Sequence, residues 1–120
     1  MSTIKSDPEC LFCRIVAGEI PAELLYEDDA IIAFRDVNPQ APFHCLVIPR
    51  SHIATLNDVT PAQAELVGRL LVVAARIAAE HGHAQDGYRV AMNANRHGGQ
   101  SVYHIHLHVL AGRQMGWPPG

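Results

Sequence analysis

The sequence predicts an α+β domain built on a mainly antiparallel sheet of about five strands, with one long and one short helix. Three observations carry this expectation. Apolar and β-branched runs come in pairs separated by short turn-forming segments, as hairpins require. Only residues 60–80 sustain a long helical period. Most successive strands lack a helix between them, which disfavours a doubly wound parallel sheet.

The first nine residues, polar through Asp7, are expected as a flexible tail, and residues 10–120 as a single domain. Leu11, Ile15 and Val16 recur at helical spacing, and Gly18 follows as a stop, so a short helix should carry Cys13. Residues 22–27 and 30–36 read as strands joined through Asp28 and Asp29, and together form an antiparallel hairpin. Pro39 and Pro42 make residues 38–42 a loop, because proline donates no ladder hydrogen bond. Residues 43–48 form the next strand. The long helix opens at Thr60-Pro61, with Thr60 as cap, Pro61 in the first helical position and Gln63 completing a capping box. Leu66, Leu70, Val73 and Ile77 lie on one stripe, so this helix covers a sheet face until Gly82 ends it. Residues 88–94 and 102–110 read as two more strands, with a loop over 95–101. The tail beyond Gly112 holds the only tryptophan in a stiff Trp117-Pro118-Pro119 run, which packs either on its own domain or on a second subunit.

A chain of 120 residues with 48% hydrophobic residues suffices for one core. Its net charge of −3 supplies no basic field for nucleic acid and no polybasic membrane anchor, so a small molecule or a second copy is the expected partner. No apolar run approaches a membrane span, and the opening residues lack the layout of a signal peptide, so a cytoplasmic location is expected. There, three cysteines do not suggest a disulfide scaffold.

Five of the eight histidines fall in two short segments: His44 and His52, then His104, His106 and His108. The last three alternate with Ile105, Leu107 and Val109, so on a strand the imidazoles share one face and the aliphatics the other. Neighbouring histidines then stand roughly 6.5–7 Å apart at the backbone, and the outer pair roughly 13 Å apart. Ligand bonds of about 2 Å cannot gather three such rings on one ion. Nucleophilic attack by a neutral imidazole on phosphorus or a carbonyl, with a neighbouring ring binding or protonating, fits better. Gly98 and Gly99 favour phosphorus, since the backbone N–H groups of residues 98–101, with the Ser101 hydroxyl, can cradle an anion. Cys10 and Cys13 have the spacing of half a zinc knuckle and need two further ligands from elsewhere; otherwise they are small apolar residues at a helix start. Cys45, on an apolar strand, reads as core. His97 and Arg35 read as solvent-facing.

His104-Ile105-His106-Leu107-His108-Val109-Leu110 resembles the signature of the histidine triad (HIT) superfamily. Gly98-Gly99-Gln100-Ser101-Val102-Tyr103, residues 112–120, residues 36–42 and Leu46-Val47-Ile48-Pro49 are similar to its nucleotide-binding (Hint) branch. The resemblance implies a HIT-like fold, a homodimer and a purine nucleoside phosphoramidase acting on adenosine 5′-monophosphoramidate or AMP-lysine conjugates. It implies that His106 attacks the α-phosphate to form a nucleotidyl-histidine, which water hydrolyses. It also puts Ser101 near the leaving group, His108 with the backbone of Gly99, Gln100 and Ser101 on the phosphate, and Asn93 beside phosphate and ribose. His44 would support the histidines, and Asp36, with Val37 beside it, would bind the ribose. Resemblance to prokaryotic members implies a structural zinc on Cys10, Cys13, His52 and His104, with no catalytic metal or organic cofactor. Dinucleoside polyphosphate hydrolysis, or nucleotide binding and scaffolding with residual activity, are the rival functions; a nucleotidyltransferase is disfavoured because His108 is present.

Overall fold

The computed structural model describes residues 4–120. Five strands form one antiparallel sheet in the order β1-β2-β3-β5-β4: β1 (Leu24–Glu27), β2 (Ile31–Arg35), β3 (Phe43–Pro49), β4 (Tyr88–Ala91) and β5 (Leu107–Ala111). Helix α1 (Leu11–Val16) precedes them, α2 (Ala64–Glu80) connects β3 to β4, and a single turn, α3 (Asn95–Gly98), lies between β4 and β5. The expected class is therefore the observed one.

Alternation along the strands sorts the side chains into two layers. Ile31, Ala33, Phe43, Cys45, Val47, Leu107, Val109 and Ala111 face α2, whose Leu70, Val73, Ala74, Ile77 and Ala78 close the main core. On the other face Ile32, Phe34, Leu46 and Ile48 pack with Phe12, Cys10 and Cys13 from α1 and its cap. The histidines share this second face, so their side of the sheet is itself packed and not merely solvated. Cys45 is fully buried, and burial pushes its thiol up to about 12.

Several boundaries differ from expectation. The helix expected from residue 60 begins as a 3-10 turn, Pro61–Gln63, and becomes α-helical at Ala64; Gln63 Oε1 accepts from the Thr60 N–H at 2.9 Å. The strand expected over 88–94 stops at Ala91, and residues 95–98 of the expected loop form α3. The strand expected over 102–110 begins only at Leu107, because the chain before it leaves the β3 ladder: the Ile105 N–H donates to Ile53 O at 2.8 Å. His104 and His106 thus precede the strand that holds His108.

Of the expected N-terminal tail, residues 1–3 lie outside the described residues. Residues 4–9 are anchored: the Lys5 N–H donates to Ser51 Oγ, Lys5 O accepts from the His52 N–H, and the Asp7 N–H reaches Cys13 Sγ at 3.4 Å. Arg35 is not simply solvent-facing, since it pairs with Glu23 at 2.6 Å and lies over the Phe43 ring. His97 is exposed, as expected. Trp117 is 83% exposed.

Candidate active site

Register explains how His44 and His108 meet. Leu46 lies opposite His108 and His44 opposite Leu110, so the two histidines are diagonal neighbours on one face of the β3–β5 pair. Their rings hydrogen-bond, His44 Nε2 to His108 Nδ1, at 2.9 Å. The direction follows from His44's other nitrogen. The Gln40 N–H donates to His44 Nδ1 at 2.9 Å, so that nitrogen holds a lone pair and the neutral ring carries its proton on Nε2. His44 therefore donates to His108 Nδ1, leaving the His108 proton on Nε2. Asp36 Oδ2 lies 3.4 Å from the same His44 nitrogen.

The same logic sets His106. Its Nδ1 lies 2.8 Å from His104 O, and a carbonyl only accepts, so Nδ1 bears the hydrogen and Nε2 keeps its lone pair. Phe12 packs edge-on against this ring, with centroids 5.1 Å apart, and the His106 and His108 centroids are 5.0 Å apart. Burial pulls the pKa of His106 below the ordinary histidine value, against its bond to His104 O and the Asp36 charge. Burial, then the neighbouring His106 and His44, brings His108 down to about 4. Both rings are neutral at pH 7: His106 offers a nucleophilic lone pair and His108 a hydrogen-bond donor.

These rings line a cavity of about 310 Å³ together with Asp36, Val37 and Ser101. Apart from Arg35, its remaining wall is apolar, including Phe12, Ile15, Ile20, Phe34 and Leu46. Such a cavity suits a ligand with a flat apolar part and an anionic end. The structure brings His106, His108, Ser101, Asp36 and Val37 to this space but places Asn93 in an adjoining cleft with His44, Gln40 and the other side of His108. The expected amide cradle is narrower than four groups. The Gly99 and Gln100 N–H groups donate to Arg96 O and Asn95 O, closing α3, with Gly99 at φ 82°. The Gln100 side chain turns inward, donating to Ala54 O and Val102 O and accepting from the Asn95 N–H. Sequence reasoning passed over Phe12 as a site residue; its place inside the Cys10–Cys13 pair was the available signal.

Beside this cavity Cys10, Cys13, His52 and His104 bring four donor atoms within 4.8 Å of one another. The thiols stand 3.5 Å from His104 Nδ1, and Cys13 Sγ stands 3.3 Å from His52 Nδ1. A tetrahedral ion with bonds of about 2.3 Å to sulfur and 2.0 Å to nitrogen holds such atoms about 3.5 Å apart. His104 Nε2–H donates to Pro49 O at 2.7 Å, so its Nδ1 lone pair faces the thiols. The four residues can hold a metal.

A five-stranded antiparallel sheet with an alternating run of three histidines, two of which, His106 and His108, face one nucleotide-sized cavity, is the arrangement of the histidine-triad class of proteins. The HIT domain family model matches residues 17–115, and the chain belongs to that family. It is 53% identical over 108 residues to the purine nucleoside phosphoramidase of Escherichia coli K12, covering 90% of this chain and 91% of that one. The crystal structure of a HIT family hydrolase from Legionella pneumophila superposes with a TM-score of 0.92 at 55% identity, covering 93% of this chain and 100% of the other. A histidine triad protein from Clostridium difficile gives a TM-score of 0.90 at 43% identity, covering 92% and 96%.

Proposed function

We propose that this protein is a purine nucleoside phosphoramidase, hydrolysing the P–N bond of adenosine 5′-monophosphoramidate and AMP-lysine-type substrates through a nucleotidyl-His106. The observation that carries this reading is the His106 Nδ1–H···O=C bond to His104, which leaves a lone pair on Nε2 at a cavity also lined by His108, Ser101 and Asp36. The identity to the E. coli phosphoramidase supports it.

On this reading the purine lies against Phe12, Ile15 and Ile20, and Asp36, with Val37 beside it, accepts from the ribose hydroxyls. His108 Nε2–H donates to a phosphate oxygen, assisted by the Ser101 amide. Asn93 reaches phosphate or ribose from the adjoining cleft. His106 Nε2 forms a bond to phosphorus as the P–N bond breaks, and the nitrogen takes a solvent proton through the Ser101 hydroxyl. Water then attacks phosphorus, the Nε2–P bond breaks, the water's proton returns to solvent, and nucleoside monophosphate is released. Splitting the displacement gives each half a positioned nucleophile.

His106→Ala should abolish AMP release while nucleotide binding persists; unchanged turnover refutes the assignment. Comparing AMP-amine, GMP-amine and dinucleoside polyphosphate substrates separates this reading from a polyphosphate hydrolase. The Cys10, Cys13, His52 and His104 set is assigned to a structural zinc on its two-thiolate, two-imidazole composition. Such an ion would stabilise the thiolates and clamp α1 to the segment before β5. A cytoplasmic location suits those reduced thiols. A homodimer is supported by exposed Leu71 and Val72 on α2 and by β4 at a sheet edge; a monomeric mass by light scattering would refute it.

A further inference from the structure

A second hollow of about 520 Å³ lies between the anchored N-terminal segment and the loop before the triad. Its lining includes Asp7, Glu9, Leu11, Ser101 and Tyr103, with Cys10 and His52 of the cysteine–histidine cluster beside them. Leu11, Ser101 and Val102 also line the cavity of His106 and His108, so the two spaces adjoin along these residues. A phosphoramidate has two halves joined at the scissile nitrogen. The first cavity, at about 310 Å³, accounts for the nucleotide, and the departing amine needs room beyond Ser101.

The walls of this second hollow define the amine that fits. Leu11 and Tyr103 are each 45% exposed, an apolar flank for a methylene chain. The charged groups in the lining are the carboxylates of Asp7 and Glu9; no lysine or arginine is among them. None of the ion pairs among the described residues engages either one. The segment that carries them is held in place: Asp7 Oδ1 accepts from the Glu9 N–H at 2.9 Å, and Asp7 O accepts from the Cys10 N–H at 3.0 Å.

We propose that this hollow is the subsite for the leaving amine, and that Asp7 and Glu9 select amines bearing a further positive charge beyond the scissile nitrogen. The inference rests on the phosphoramidase reading and deepens it. In the first displacement the Nε2–P bond forms, the P–N bond breaks and the nitrogen gains one proton by way of Ser101. The amine then leaves through a space lined by the carboxylates of Asp7 and Glu9.

The test compares adenosine 5′-phosphoramidates of 1,5-diaminopentane and of pentylamine, which differ in one terminal ammonium. Wild-type protein should favour the diamine in kcat/KM by about three- to tenfold at low salt, the strength of two exposed ion pairs, and the preference should shrink as salt is raised. In Asp7→Asn/Glu9→Gln the ratio should fall to about one, and in Glu9→Lys it should invert or vanish. Glu9→Gln alone, at an exposed position, should carry part of the same change if the double variant folds poorly. Equal efficiency on both compounds in the wild type, or an unchanged ratio in the variants, overturns the subsite. Failure to cleave either compound or unsubstituted adenosine phosphoramidate would bring down the phosphoramidase reading itself.

Discussion

Replacing His44 with phenylalanine keeps a ring of similar size but removes both ends of the relay that orients His108. The Gln40 N–H loses its acceptor and His108 Nδ1 its donor, each a 2.9 Å bond at a partly buried position. Leaving such groups unpaired costs about 1–3 kcal/mol of stability, a large share of the roughly 5–15 kcal/mol that holds a domain together. Catalysis should suffer separately. His108 without its partner takes either tautomer and either ring orientation, and the value at stake is one hydrogen bond to an anionic phosphate oxygen, about 1.5–3 kcal/mol. At about 1.4 kcal/mol per factor of ten, kcat/KM for adenosine phosphoramidate should drop roughly 10- to 100-fold. His44→Gln, whose amide can donate to His108 and accept from Gln40, should recover much of the loss. Urea unfolding, steady-state kinetics and ¹⁵N chemical shifts of His108 read the three quantities. A His44→Phe protein with kcat/KM within twofold of wild type and an unchanged His108 tautomer would refute the relay.

Other expectations follow from single features of the structure. Metal analysis should find about one equivalent per chain, lost in Cys10→Ser/Cys13→Ser together with a fall in Tm; metal-free native protein would remove the site. Acid should unfold the protein through its histidines. His104, brought to about 4 chiefly by burial, and His108, likewise brought to about 4, stay unprotonated when folded, while unfolded histidines titrate near 6.5. Stability is therefore full above about pH 6.5 and is lost as pH falls toward 4, as urea midpoints of the metal-free protein across that range should show. Gly112→Ala should cost roughly 1–3 kcal/mol, since φ is 95° and a Cβ would stand 2.8 Å from Pro42 Cβ; an unchanged urea midpoint would contradict that contact.

Helix α2 was legible because Leu70, Val73 and Ile77 mark a 3.6-residue period strongly enough to overcome uncertainty at its start. The last strand shows the limit of such patterns. Alternation from His104 to Val109 correctly placed the imidazoles on one side of the chain, yet it reports facing, not pairing. Residues 102–106 keep the alternation while their backbone bonds elsewhere, as Ile105 does to Ile53. The one-turn α3 was hidden by its glycines, which suggest a loop, although Gly99 acts there as the helix cap. Within the site the residue types were readable but the relay was not. His44 and His108 meet across 64 positions of sequence, and the groups that set the tautomers are backbone atoms: Gln40 N, His104 O and Pro49 O. Main-chain atoms are the same in every residue, so only the fold reveals which ones a ring will find.

His104 belongs to two sites at once: its ring joins the thiols, and its carbonyl steers the nucleophile. That double duty would tie the chemistry to the metal were it not for the Nε2–H bond to Pro49, which grips the ring independently of either cysteine. A descendant that drifted away from Cys10 and Cys13 could therefore forfeit any ion held there and still aim His106, so metal binding at this cluster would be an accessory that evolution is free to discard before the reaction is.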